Sequence, residues 1–215
     1  MTELHELGPN TSHDWARRVD ADHLALIQQH PGTFAPGGVR HLILEVVAYA
    51  ADEADHNGRG HCVVTVHGDG SVSVSDNGRG TAVRIDDQGA AVKKPVMSTK
   101  DLRFFGSPGA EPLPDGHPRR GMSVVAALSD WLVHTNRRTD GAWTQRYEHG
   151  VPSTALEPAA ADGTTGTTVH FSPDRSVPGD RGTREDLARL IASWRCLSVE
   201  VDDRRTSRPA LGDGL

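Results

Sequence analysis

At 215 residues the chain is sized for one ordinary domain. A formal charge of −6 with no dominant basic run argues against direct DNA binding, which needs a cationic stripe along the phosphates. Cys62 and Cys196 have no second cysteine nearby, so there is no zinc pattern, and the absence of a signal peptide or long apolar run predicts a cytoplasmic chain with no membrane attachment.

Residues 1 to about 20 are polar and unpatterned and read as a flexible arm. His23 to His30 reads as a short helix that stops at Pro31-Gly32, and Thr33 to Gly38 as a turn-rich link. Val39 to His56 carries the strongest helical pattern. Ile43, Val47, Ala50 and Ala54 share one face, and Leu42, Glu45, Tyr49, Asp52 and His56 form a more polar row beside it. His61 to His67 and Ser71 to Ser75, joined by Gly68-Asp69-Gly70, predict a hairpin.

Thr81 to Gly121 is a long connection without clear periodicity. Met122 to Leu128 reads as a short apolar helix. Trp131 to Arg138 and Ala142 to His149 form a second hairpin around Thr139-Asp140-Gly141. Thr167 to Phe171 is a strand, Thr183 to Leu197 an amphipathic helix, and Ser198 to Asp202 a closing strand. Hairpins with a few interspersed helices predict an α+β two-layer sandwich, a mixed and mostly antiparallel sheet covered on one face by helices. No GxxxxGK[ST] or GxGxxG loop follows a strand.

Several segments, in order, resemble the N-terminal nucleotide-binding domain of the DNA gyrase B and topoisomerase IV B subunits, members of the GHKL superfamily. His30-Pro31-Gly32 is similar to that family's Arg-Pro-Gly. The run from Glu45 to Ala54 is similar to its Glu-Val-Val-Asp-Asn-x-x-Asp-Glu-Ala helix, and Ser73 to Gly80 to its adenine-site strand and turn. Gly121 to Ser129 resembles the end of the phosphate loop and the helix after it. Gln145 to Gly150 and Thr165-Gly166-Thr167 match in order. The resemblance implies a nucleotide-binding domain over 21–203, between the arm over 1–20 and a flexible tail over 204–215.

The resemblance also implies roles. Asp76 would accept the adenine amine, supported by Thr167, with Gly78 and Gly80 letting the base approach the main chain. The plain alternative for this motif is an Asx turn. Arg79 would pair with Glu53 beneath the nucleotide, and Arg138 would lie at the mouth of the adenine site; either could instead be a surface arginine. Gly121 would end the phosphate loop. Glu45 would orient and deprotonate the attacking water as the catalytic base.

The other half of the site departs from the family pattern. Tyr49 stands where the family has a magnesium-binding asparagine, and a neutral phenol is a poor magnesium ligand. No metal ligand set is therefore expected, and magnesium is in doubt. In Gly116-His117-Pro118-Arg119-Arg120-Gly121 the middle glycine of the phosphate loop is Arg119, and Pro118 removes an amide donor. Arg119 and Arg120 could contact phosphates as side chains, or belong to a solvated loop.

The expectation is an ATP-binding domain with the adenine pocket retained and the magnesium and phosphate site degraded. Hydrolysis would be weak or absent, and topoisomerase activity would be absent in this chain alone. The alternative is a noncatalytic pseudo-ATPase acting as a regulatory or protein-interaction module. The partners expected are an adenine nucleotide and an unidentified protein, and the chain is expected to be a monomer.

Overall fold

The computed structural model describes residues 19–85, 87, 89, 91–105, 111–178 and 183–205. The expected arm and tail fall outside these residues except for Val19, Asp20, Arg204 and Arg205. The central helix, α3 (Val39–Asn57), follows α1 (Ala21–Gln29) and the short α2 (Pro31–Phe34). It begins after Gly38 and stops at Gly58, whose left-handed conformation (φ 78°) ends the helical hydrogen-bond pattern. The apolar row of α3 is covered, with Ile43 and Val47 fully buried; in the more polar row Leu42 and Glu45 are fully buried, whereas Asp52 and His56 are exposed.

Strands β1 (Gly60–Val66) and β2 (Val72–Asp76) form the first predicted hairpin, and β5 (Ser129–Arg138) and β6 (Gly141–Glu148) the second. The stretch between them is less featureless than its sequence. It contains a small hairpin, β3 (Val83–Ile85) with β4 (Ala91–Lys93), before α4 (Met122–Ala127). The two-residue strands β7 (Val151–Pro152) and β8 (Glu157–Pro158) border β6. After β9 (Gly166–Pro173), helix α5 covers only Arg184–Ile191, shorter than the amphipathic pattern implies. Thr183 and Asp186 form a reciprocal capping box at its start. The residues after it turn into β10 (Leu197–Asp203).

The main sheet runs β10-β1-β2-β9-β5-β6-β7, with β8 also on β6. Among the described strands, only β10 and β1 pair in parallel. Alternation sorts the side chains of the sheet into two faces. Val64, Val74, Val169 and His134 are cross-strand neighbours in one buried row. Ser75, Thr168, Thr135 and Thr144 form a hydroxyl row on the other face, with Ser75 and Thr168 2.9 Å apart. α3 lies against β1, β2 and β10, and α4 against α1, α3 and β5. The result is the expected two-layer α+β sandwich. No helix among the described residues is long and apolar enough to cross a membrane.

Leu132 and Phe171 face each other across β5 and β9, and both are fully buried. Leu132→Ala is expected to cost about 2–5 kcal/mol, because the well-packed layer refills the cavity only partly. The check is a lower urea midpoint at unchanged slope.

Candidate functional site

The end of β2 and the turn after it form one half of the site. Asp76 Oδ1 accepts the Gly78 N–H at 2.8 Å, and its other carboxylate oxygen accepts the Thr167 hydroxyl. Thr167 is brought there by β9, through the β2–β9 pairing. Gly80 has φ 79°, and a Cβ on it would lie 2.6 Å from Arg137 O and 2.7 Å from Asn136 Oδ1. Only glycine fits that approach. Buried Asn136 holds the next residue with both ends of its amide: Oδ1 accepts Thr81 N–H at 2.7 Å and Nδ2 donates to Thr81 O at 2.9 Å. Arg138 donates to Gly80 O at 3.2 Å, beside the turn.

Arg79 pairs with Glu53 as the resemblance implied. Its Nε lies 2.5 Å from Oε1, its Nη2 2.9 Å from Oε2, and its main-chain N–H adds a bond at 3.1 Å. These bonds hold the Glu53 carboxyl down at about 2. The pair joins an exposed Arg79 to a half-buried Glu53 and ties the turn to α3.

The opposite half is built on side-chain pairing. Glu45 accepts main-chain N–H groups from Arg120 at 2.5 Å and Gly121 at 2.8 Å. His41, one turn earlier, lies 3.5 Å from Glu45 through Nε2 and 2.8 Å from Asp115 through Nδ1. Tyr49 donates its hydroxyl to buried Asp101 at 2.8 Å. Burial, and then the Asp101 charge, push the Tyr49 phenol well above its usual range.

Arg119 grips Asp52 with both terminal nitrogens, at 2.9 and 2.8 Å, and stacks on Tyr49 (4.7 Å to the ring centroid) and Phe104 (4.4 Å). Arg103 contacts the same two rings at 5.6 and 4.8 Å and forks onto Asp101. Arg120 lies over Phe105, 5.7 Å from the ring centroid.

Between the halves lies a cavity of about 650 Å³. Val46, Met97, Met122 and Val169 line its apolar wall, with Thr167 at one side and Tyr49 at another. A pocket of this size and lining suits a flat heteroaromatic group with a few polar contacts.

The structure thus gathers Asp76, Gly78, Gly80, Arg138 and Thr167 at one end, with Arg79 on Glu53 beside them. It places Glu45, Tyr49, Arg119, Arg120 and Gly121 together at the other. Asp101, Arg103, Asn136 and His41 are participants that sequence reading missed. Asp101 and Arg103 lie in the stretch without periodicity. Asn136 is the one with a visible signal, a buried-register polar residue in a predicted strand.

No family model matches the chain. It is 37% identical over 182 residues to the DNA gyrase B subunit of Thermotoga maritima, a match covering 80% of this chain and 28% of that protein. It is 32% identical over 159 residues to the DNA topoisomerase 4 B subunit of Bacillus subtilis, covering 72% of this chain and 24% of that protein. The chain therefore spans about a quarter of the length of these relatives. Among solved structures, the topoisomerase IV ATP binding domain of Francisella tularensis, in complex with a small-molecule inhibitor, superposes with a TM-score of 0.66 at 24% identity. That match covers 84% of this chain and 90% of the other. The fold is that of a GHKL ATP-binding domain, and over most of its length the chain is a homologue of the gyrase B and topoisomerase IV B subunits.

His41 supplies a pH test of the Glu45 end. Burial alone would lower its pKa, but the bonds to Asp115 and Glu45 win and raise it to about 9. A raised folded-state pKa stabilises fully below the unfolded value of 6.5, and that contribution is lost as pH rises through about 9. Stability is therefore expected to fall between pH 6.5 and 9 in the wild type and to stay flatter in His41→Gln. Urea titrations across that window check it.

Proposed function

We propose that this chain, a homologue of the gyrase B and topoisomerase IV B subunits, binds an adenine nucleotide and does not turn it over efficiently. The carrying observation is the state of Glu45, which is fully buried and accepts the Arg120 and Gly121 amides. A general base needs a lone pair directed at water. Each Glu45 oxygen accepts a main-chain N–H instead, the side chain has no exposed surface for water to reach, and those two amides are withdrawn from any phosphate. Tyr49, committed to Asp101, offers no good magnesium ligand beside them.

The adenine end supports binding. Asp76 is oriented by Gly78 and Thr167, next to a cavity large enough for a base and sugar. In this reading Asp76 accepts the exocyclic amine, Thr167 positions Asp76, and Gly78 and Gly80 leave room for the ring. Arg79 and Arg138 hold the turn, through Glu53 and Gly80 respectively. The nucleotide-binding domain occupies residues 21–203.

A noncatalytic regulatory or protein-interaction module is the second reading. It is favoured by the Arg119–Asp52 fork and the stacking of Arg119 on Tyr49, which fill the phosphate end from within. Topoisomerase activity is not assigned to this chain in either reading.

Calorimetry with adenosine and ADP separates the two readings. Binding to the wild type, weakened at least about tenfold by Asp76→Ala, is expected for an adenine site. Silence with both ligands favours the module. Phosphate release from ATP with magnesium is expected to be equal in wild type and Glu45→Gln; wild-type turnover that disappears in Glu45→Gln would falsify the inactive state assigned to Glu45.

A further inference from the structure

We infer that Asp130, His149 and Asp174 form a binding site for a divalent transition-metal ion of the zinc type, at the C-terminal end of α4. One ligand atom from each residue lies within 4.8 Å of the other two. The three come from separate parts of the chain: Asp130 from the start of β5, His149 from the turn between β6 and β7, and Asp174 from the residue after β9. None of them lines the large cavity between Asp76 and Glu45, so the inference stands apart from the nucleotide reading.

The main chain presents each ligand. Ser129 pairs with Pro173 and Trp131 with Ser172, so Asp130 sits in a bulge without a partner on β9. His149 has a left-handed backbone (φ 48°), and its carbonyl accepts Gln28 Nε2 at 3.1 Å. Its imidazole makes no hydrogen bond among the described residues. Asp174 donates its N–H to Leu128 O at 2.9 Å, which ties the site to the end of α4. Its Oδ1 accepts the Ser176 N–H at 2.7 Å, and bonds from Ser176 hold the Asp174 carboxyl below its usual range.

Two carboxylates this close repel each other, and a cation between them removes that repulsion. An imidazole nitrogen with two carboxylate oxygens is a mixed set that zinc and its first-row neighbours accept, whereas magnesium and calcium take oxygen ligands. Ligand atoms about 2.0–2.2 Å from zinc stand roughly 3.4 Å apart in a tetrahedron. Closing on an ion therefore asks for shifts of about 1 Å, and the Asp130 and His149 side chains are exposed and can rotate. Beside them lies a recess of about 340 Å³, lined by Gln28, Leu128, His149, Asp174 and Ser176 among others, with room for water to complete the shell.

The experiment is calorimetry with zinc chloride on the untagged full chain after removal of metal with EDTA. One zinc ion per chain is expected to bind, and His149→Asn and Asp130→Asn are each expected to weaken it at least about tenfold. Asparagine tolerates the left-handed backbone at 149 and keeps the shape of the side chain at 130, so both variants are expected to fold. Zinc should raise the melting temperature of the wild type, by mass action, and that of neither variant. His56→Asn, a substitution of an exposed histidine outside the cluster, should leave zinc binding unchanged.

Absence of saturable zinc binding would overturn the inference. So would zinc binding that survives in both the His149 and Asp130 variants, which would place the ion on other histidines. Magnesium binding as tight as zinc would overturn the assignment of the ion's class.

Discussion

A carboxylate removed from water must be given donors, and Glu45 takes two of them from the main chain before α4. Much of the site follows from that one bond pair. It fixes Arg120 and Gly121 against α3, and so sets where Arg119 leaves the loop. Arg119 then lies over Tyr49 and reaches Asp52 on the same helix. Tyr49, one turn after Glu45, is capped from the far side by Asp101. A single helix face, through Glu45, Tyr49 and Asp52, thereby gathers two segments distant from it in sequence, one around Asp101 and one from Arg119 to Gly121. Breaking one member of such a network would leave another buried charge unpaired, which costs more than the bond itself.

Much of the architecture was legible because it rests on local rules. The two hairpins and α3 carry period-2 and period-3.6 patterns, and all three are present. The Arg79–Glu53 pair was legible through the resemblance alone, since nothing local joins the two positions. What escaped was the small β3–β4 hairpin, whose strands are too short for a pattern to emerge. The early end of α5 escaped too: Leu190 and Trp194 keep helical spacing, but the chain turns towards β10 before the second of them.

The phosphate end was legible only as a set of departures. Tyr49, Pro118 and Arg119 stood out against the family pattern, but what they do depends on Asp52, Asp101 and Phe104. Pairings between positions 49 and 101, or 52 and 119, leave no periodic trace in a single sequence. Arg119 was open between phosphate contact and solvated loop, and its actual place is neither: it is nearly buried between two aromatic rings and a carboxylate. The two ends of the cavity therefore differ in kind. The Asp76 end joins a local turn bond to polar groups brought in by β5 and β9, and the Glu45 end joins main-chain amides to an arginine–carboxylate fork stacked on aromatic rings.

The parallel pairing of β1 with β10 carries a consequence for how the molecule is made. Gly60 meets Leu197, and Val66 meets Asp203, so β1 finds its outer neighbour only after nearly all the described chain exists. Loop closure over such a separation is slow compared with hairpin formation. During synthesis, β1 and β2 form early and present an unsatisfied row of amides and carbonyls along β1, a template for unwanted strand addition. β10 is therefore the late-arriving guard of the sheet edge, and damage to it is expressed first as clumping of newly made chains.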